Sequence, residues 1–318
     1  MNNKPLISVI TPAYNHEKYI EETIRSVIAQ TYQNLEYIIL DDGSSDHTWQ
    51  IIQKLKPVCE KRFTRFVCIK QKNAGVTTSM NRLIENAKGE YIFSLSSDDA
   101  AKPQAIEKLY AVLSADTQNV LAVADNEIIN STSQRVSWDA KRKILPLGQG
   151  YDSFGSYLKK MRPDVDFGGS NFGSYETLLA GNYITNGFMT RARAMSPYTT
   201  EAPLEDWYQW LQLSKKGKFV YLDEILFAYR WHDSNTISNV GKINEYSKKT
   251  FEYEREILKD PQYSRFSEIY NRFAENGHKK VSFRLGNFIE IYRCKSPFFN
   301  RKFVRLFNKT WCVSSKNK

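Results

Sequence analysis

Three carboxylate pairs in this sequence have the residue types and spacing of groups that do chemistry: Asp41-Asp42, Asp98-Asp99 and Glu205-Asp206. Adjacent acids can hold a hard cation, accept hydrogen bonds from ribose hydroxyls, or take a proton from an attacking alcohol. Each pair also has a structural reading. Asp-Asp-Gly-Ser at 41–44 is favourable turn chemistry. Asp98-Asp99, with Ser96 and Ser97, suits a helix cap before Pro103. Glu205-Asp206 suits the acidic start of a helix, where the dipole favours negative charge. Two further stretches stand out. Pro12-Ala-Tyr14-Asn15 breaks an apolar run and offers an aromatic that can stack on a base, and Tyr229-Arg230-Trp231-His232 offers a cation and an imidazole. A lone histidine without paired ligands is by itself weak evidence for a metal site.

The elements that must position these residues follow from periodicity. Leu6–Thr11, Leu35–Leu40, Phe63–Ile69, Tyr91–Leu95 and Val120–Asp125 read as strands, the fourth of them an apolar, aromatic-rich run. Between them lie helical patterns: one beginning at Asn15 with Tyr19, Ile20, Ile24, Val27 and Ile28, one with Trp49, Ile51, Ile52 and Leu55, one opened by Asn73-Ala-Gly75, and Pro103–Leu113. Strands alternating with helices predict a doubly wound, mostly parallel sheet, whose ligands collect beyond the strand carboxyl ends. Asp41-Asp42 and Asp98-Asp99 both fall at such ends.

Past residue 130 the pattern loosens. Ser131–Tyr175 reads as a long functional loop or lid. A helix is expected over Glu205–Lys215, two short strands over Phe219–Leu222 and Ile225–Arg230, and helical, increasingly basic sequence from about Asn235. The expected organisation is a catalytic domain over 1–235 and a helical, basic extension over 236–318.

Several classes are excluded by what the chain lacks. No GxGxxG follows the first strand, and there is no GxxxxGK[ST] or GxSxG, which argues against dinucleotide oxidoreductases, P-loop ATPases and serine hydrolases. An acid-rich, glycine-poor rim needs a cation to hold a diphosphate. The four cysteines have no ligand or disulfide spacing, no apolar run is long enough to span a membrane, and Met1-Asn-Asn-Lys runs directly into a strand-like segment without a signal peptide. A reducing cytoplasm is the expected location. The net charge of +10 resides in residues 278–318, where eleven basic residues face Glu290 alone. Aromatics alternate with cations there (Phe298-Phe299, Arg301-Lys302-Phe303, Arg305-Leu306-Phe307, Lys309, Trp311), and on a helix this pattern would lie in an anionic bilayer interface or form a solvated outer layer. No recognised module accompanies the charge, so nucleic acid is not the expected partner.

The ordered series Ser8-Val-Ile-Thr-Pro-Ala-Tyr-Asn15, Gln30-Thr-Tyr, Ile38-Ile-Leu-Asp-Asp-Gly-Ser-Ser-Asp46, Asn73-Ala-Gly75, Asn81, Gly89-Glu-Tyr-Ile and Ser97-Asp-Asp99 resembles the family 2 glycosyltransferases of GT-A fold, over roughly residues 5–235. The resemblance implies inverting transfer of a sugar from a nucleotide-diphosphate sugar, with UDP- or dTDP-sugars favoured. The acceptor would be a saccharide or lipid-linked saccharide, in synthesis of a surface polysaccharide such as capsule, O-antigen or lipopolysaccharide. It places Pro12, Tyr14 and Asn15 beside the nucleobase and ribose and Asp42 on the base. Asn73, Gly75, Asn81 and Arg230 fall in the donor site, and Asp98 and Asp99 on the ribose and on Mg2+ or Mn2+, with His232 in the metal shell. Glu205-Asp206-Trp207 resembles the family's later Glu-Asp pair, which makes Asp206 the expected general base.

Two positions depart from the family pattern. Ser96 stands where an acid is common, and Met80 where an Arg is common before the Asn. They motivate the alternative of a catalytically silent scaffold that recruits partners at a membrane. A nucleotidyltransferase shares the sheet and the acids but needs a glycine-rich basic loop after the first strand, and Pro12-Ala-Tyr-Asn is not one.

Overall fold

The computed structural model describes residues 4–233, 235, 240–285, 289–295, 299–306 and 309–317. Phe298, Phe307 and the first residue of the expected extension, 236, lie outside these. The elements in order are β1 (Ile7–Ala13), α1 (Ile20–Ile28), β2 (Leu35–Asp41), α2 (Thr48–Arg62), β3 (Arg65–Lys70), α3 (Val76–Asn86), β4 (Tyr91–Ser94), β5 (Ala100–Ala101), α4 (Ala105–Ser114) and β6 (Asn119–Ile129). There follow β7 (Ser137–Trp138), β8 (Ile144–Leu145), α5 (Phe154–Met161), α6 (Tyr175–Leu179), β9 (Phe188–Arg191), α7 (Glu205–Ser214), β10 (Lys218–Arg230), α8 (Val240–Ile257), α9 (Ser264–Asn276), β11 (His278–Leu285), β12 (Ile289–Lys295), β13 (Phe299–Leu306) and β14 (Lys309–Asn317).

Contacts divide the chain into two units: residues 1–174, 183–199 and 212–238, and residues 175–182, 200–211 and 239–318. The first is built on an eight-stranded sheet of order β3-β2-β1-β4-β9-β6-β10-β5. Strands β1 to β4 pair in parallel, as expected, and so do β6 and β10. β9 is antiparallel to both of its neighbours, and β5 is antiparallel to β10. Period-two alternation sends Ile7, Val9, Tyr37, Ile39 and Phe93 into a core covered by Ile20, Ile24, Ile52 and Leu109 of the helices. Ile10, Ile38, Leu40 and Ile92 face the other way, onto Met80 and Leu83 of α3. Both faces are therefore apolar, which is why these strands read as continuous hydrophobic runs.

A buried polar knot ties the lower ends of three strands. Glu36 accepts from the Ser8 hydroxyl (2.6 Å), Arg65 Nη1 (2.7 Å) and the Gly89 amide (3.1 Å). A Cβ on Gly89 would meet Ser8 N at 2.6 Å, so this glycine is required by close approach.

Three expectations need correction. Ser131–Tyr175 is not a structureless lid: it holds the β7–β8 hairpin and α5, packed around the fully buried Trp138, whose ring meets Phe154, Tyr157, Tyr229 and Trp231. Its aromatics lack helical spacing, so periodicity alone did not show them as core. The segments 219–222 and 225–230 form one strand, β10, bent by irregularities between Leu222 and Phe227. The basic tail is not helical either. After α8 and α9, β11 to β14 form a four-stranded antiparallel meander. Its β-branched and aromatic residues, broken at Gly286-Asn287, Ser296-Pro297 and Phe307-Asn308, carry a period of two that outweighs the helical one. Glu290 is buried in this sheet and accepts from Lys279 at 2.8 Å.

In the second unit Phe251 of α8 stacks on Tyr270 of α9, with ring centroids 4.3 Å apart, and on Trp207 of α7. The Trp207 indole donates to the Leu178 carbonyl (2.7 Å), and the Tyr175 hydroxyl donates to the buried Glu254 (2.6 Å). No described helix is long and apolar enough to cross a membrane.

Candidate active site

The segment between β4 and β5, Leu95-Ser-Ser-Asp98-Asp99, leaves the sheet at a strand carboxyl end and is clamped on both sides. Ala100 and Ala101 pair with Ala228 and Phe227 of β10, and this short bridge brings Arg230 and His232 beside the two aspartates. The clamp closes through Arg230, which is 1% exposed. Its amide donates to Asp99 Oδ1 (2.9 Å) and its Nε to the Asp98 carbonyl (2.7 Å). Nη1 donates to the Asn130 carbonyl (3.1 Å) and to Ser133 Oγ (2.9 Å), and Nη2 to Glu22 (2.6 Å). The guanidinium also lies over the Tyr19 ring, 4.8 Å from its centroid. With its nitrogens engaged in this way, Arg230 organises the loop.

Because Glu22 is partly exposed, the ion pair itself contributes little. Removing the guanidinium would instead orphan two carbonyls, at about 1–3 kcal/mol each. Arg230→Ala is therefore expected to lower the unfolding free energy of this unit by about 2–4 kcal/mol, read as a fall in midpoint in urea or heat.

The two aspartates have different surroundings. Asp99 is buried, and besides Arg230 it accepts from Asn186 Nδ2 (3.1 Å). Burial and then the Asp98 charge raise its pKa well above the carboxylate range. Asp98 instead faces two imidazoles: its Oδ2 is 3.1 Å from His232 Nε2 and 4.0 Å from His16 Nε2. Burial opposes its ionisation, but the His232 hydrogen bond and the charges of His16 and His232 outweigh that and hold its pKa low. Burial lowers the His16 pKa. His16, Asp98 and His232 each offer one ligand atom, all within 4.8 Å of one another, and they form the group able to hold a metal among the described residues. Asp99 is not part of it.

This trio has outer support. The Ser97 hydroxyl lies 2.7 Å from His16 Nδ1, Tyr19 stacks on His232 with centroids 5.0 Å apart, and Asn235 Oδ1 accepts from the His232 amide. Partners of this kind set the tautomer and orientation of ligating imidazoles. A set of two nitrogens and one carboxylate oxygen suits Mn2+ better than Mg2+, which favours oxygen and retained water.

The other expected donor-site residues are distributed as follows. Tyr14 is 47% exposed after β1, which leaves it available for stacking, with Pro12 half-buried on the same strand end. Asn15 adopts φ 53° and its Oδ1 accepts from the Ser45 amide (2.9 Å), so it also pins the turn at 43–46. That left-handed residue delays the helix, which starts at Ile20. Asp42 is buried and accepts from the Ala74 (2.8 Å) and Gly75 (2.9 Å) amides and from Gln71 Nε2 (2.8 Å). Gly43 permits this packing, with φ 74° and Asn73 N at 2.6 Å from where a Cβ would be. Asn73 and Gly75 remain exposed on the same turn. Asn81 pairs both ends of its amide with the backbone of Tyr198 (2.9 and 2.8 Å). Met80 is core, and Ser96 is half-buried.

Asp206 belongs to the second unit, at the first turn of α7. Its side chain is exposed to solvent, yet the surrounding protein mass raises its pKa to about 6. Burial and the neighbouring Asp206 charge push Glu205 up to about 8.

Sequence reasoning missed His16, Tyr19 as a ring platform, Glu22 and Asn186. A signal for His16 was present: it directly follows Tyr14-Asn15, already placed at a strand end.

Comparison with known proteins agrees with the fold. The profile of "Glycosyl transferase family 2" matches residues 8–172, more than half of the chain. The "Putative teichuronic acid biosynthesis glycosyltransferase TuaG" of Bacillus subtilis (strain 168) is 28% identical over 280 residues, which cover 88% of this chain and 98% of that protein. Among solved structures, S. aureus TarS 1-349 in complex with UDP-GlcNAc aligns with TM-score 0.56 at 18% identity, covering 84% of this chain and 71% of TarS. The mannosyltransferase PcManGT from Pyrobaculum calidifontis, in complex with GDP-Man and Mn2+, aligns with TM-score 0.56 at 13% identity, covering 86% and 70%. At such identities the two structures show a shared fold.

Proposed function

This chain belongs to glycosyl transferase family 2, and we propose that it transfers a sugar, with inversion, from a UDP- or dTDP-sugar to a saccharide or lipid-linked saccharide during surface-polysaccharide synthesis. The observation that carries the reading is Asp98, held at the carboxyl end of β4 between two imidazoles by the Arg230 clamp. Support for a nucleotide-sugar donor comes from the UDP-GlcNAc and GDP-Man bound to its structural neighbours, and for the polysaccharide setting from the teichuronic acid relative.

In this proposal Tyr14 stacks on the nucleobase, and Asp42, fixed by its amide partners, offers its remaining acceptor capacity to the base. Asp98 and His232 are the residues that would hold Mn2+ or Mg2+. When bound, the cation offsets charge developing on the departing diphosphate. Asp99, in its buried setting, fixes the loop from which Asp98 projects. Asp206 takes the proton of the acceptor hydroxyl as that oxygen attacks the anomeric carbon. No covalent sugar–protein intermediate forms, so one base suffices. The basic β11–β14 meander supports association with an anionic membrane surface that presents a lipid-linked acceptor.

The deciding test is transfer by the purified full chain, with a panel of nucleotide sugars and Mn2+, to saccharide and lipid-linked acceptors. The expected result is product of inverted configuration from one UDP- or dTDP-sugar. Binding of no nucleotide by calorimetry would refute the reading and leave a silent scaffold.

A further inference from the structure

Resting on the cation-dependent reading above, we propose that His16 is a protein ligand of the same divalent cation, completing a site of two histidines and one carboxylate with Asp98 and His232. Three observations carry this. The first is distance: His16 Nε2 stands 4.0 Å from Asp98 Oδ2, and all three donor atoms lie within 4.8 Å of one another. Metal–ligand lengths of about 2.0–2.2 Å separate neighbouring donors of one shell by about 3–3.6 Å. Small side-chain rotations close the difference.

The second is the hydrogen-bonding balance of the His16 ring. Its Nδ1 is occupied by the Ser97 hydroxyl at 2.7 Å. With the proton on Nδ1, Nε2 presents a lone pair toward the Asp98 carboxylate, and two acceptors face each other with no proton between them. With the proton on Nε2, the 4.0 Å separation is too long for a hydrogen bond. Neither neutral tautomer hydrogen-bonds the carboxylate, and the protonated ring makes only a long ion pair at the same 4.0 Å, whereas a cation between them is bonded by both.

The third is rigidity. The His16 carbonyl accepts from the Tyr19 and Ile20 amides and its own amide donates to Thr48 Oγ1 (2.8 Å), so the backbone is fixed at the start of α1. The His16 and His232 rings meet edge to face, 6.0 Å apart at 83°, and Tyr19 contacts both. Ser97, one residue before Asp98, orients His16 from outside the shell, as a hydrogen-bond partner does for a ligating imidazole. Asp99, facing the Arg230 amide and Asn186, takes no part in the coordination.

The test uses MnCl2 with the full chain, alone and with UDP, and reads binding rather than turnover. Electron spin echo modulation of the bound Mn2+ is expected to show nitrogen couplings from two imidazoles in the wild type and from one in His16→Ala. Mn2+ affinity by calorimetry is expected to fall at least about tenfold in His16→Ala. His16→Gln, which keeps a polar contact for Ser97, serves as a second variant should the alanine protein not fold, and is expected to lose the same coupling. A single imidazole coupling in the wild type, or unchanged affinity in a folded His16 variant, overturns the inference while leaving cation binding intact. Absence of any Mn2+ binding by the wild type, with and without UDP, overturns the inference and the cation-dependent reading together.

Discussion

Asp206→Asn is expected to lower kcat for sugar transfer by about 10³-fold, within the 10²–10⁴ that a positioned general base contributes, while leaving the donor KM close to that of the wild type. The amide keeps the shape of the carboxyl but cannot accept the proton released as the acceptor oxygen attacks. The pH profile provides an independent check. The protein around Asp206 raises its pKa to about 6, and only the ionised form accepts a proton. Activity (kcat/KM) should therefore rise with pH through about 6 and level off above it, a limb that the asparagine variant should lack. Glu205, raised to about 8, stays mostly protonated at neutral pH, so a single negative charge resides on the pair where the enzyme is active. A variant with wild-type kcat and an unchanged acid limb would remove Asp206 from the mechanism.

Asp98→Asn is expected to reduce kcat/KM by about 10³-fold or more, because the carboxylate is the one anionic member of the trio and a Lewis-acid cation supplies several kcal/mol of transition-state stabilisation. A fold-level explanation of such a loss can be tested directly. The Arg230 guanidinium bonds the carbonyl of Asp98 and not its carboxylate, so the loop clamp survives the substitution and the melting temperature without metal should change little. The Mn2+-induced rise in melting temperature should disappear, since a ligand bound only by the native state stabilises in proportion to its binding. Asp99→Asn makes a useful contrast. Asp99 is buried with its pKa raised, and the amide keeps an oxygen that can accept from the Arg230 N–H, so the expected loss is smaller and leaves Mn2+ binding in place. Equal losses in the two variants, with Mn2+ binding gone from both, would mean that Asp99 shares the coordination.

Much of this protein was determined by local sequence. Runs such as Leu35–Leu40 and Tyr91–Leu95 are apolar apart from Glu36 and Ser94 because both faces of the sheet are covered, which marks them as buried parallel strands from sequence alone. The acids that follow those runs, the Asp-Asp-Gly turn and Pro12-Ala-Tyr14 fall at strand ends for the same reason, and their order along the chain suffices to indicate the family. Local pattern failed where two periods coexist. The tail supports a helical and an alternating reading, and pairing between strands decided for the meander; the aromatics of 131–175 have no period, yet they close around Trp138.

The roles of individual side chains were decided only in three dimensions. Arg230 and Asp99 are 131 residues apart, and nothing local to either shows that a two-residue bridge at Ala100 and Ala228 will join them. That bridge commits Arg230 to the loop backbone and brings His232 to Asp98, while the turn after β1 delivers His16 from the other side. Residue type sets what a group can donate, accept or ligate; burial and the neighbours supplied by distant strands set which of those it does.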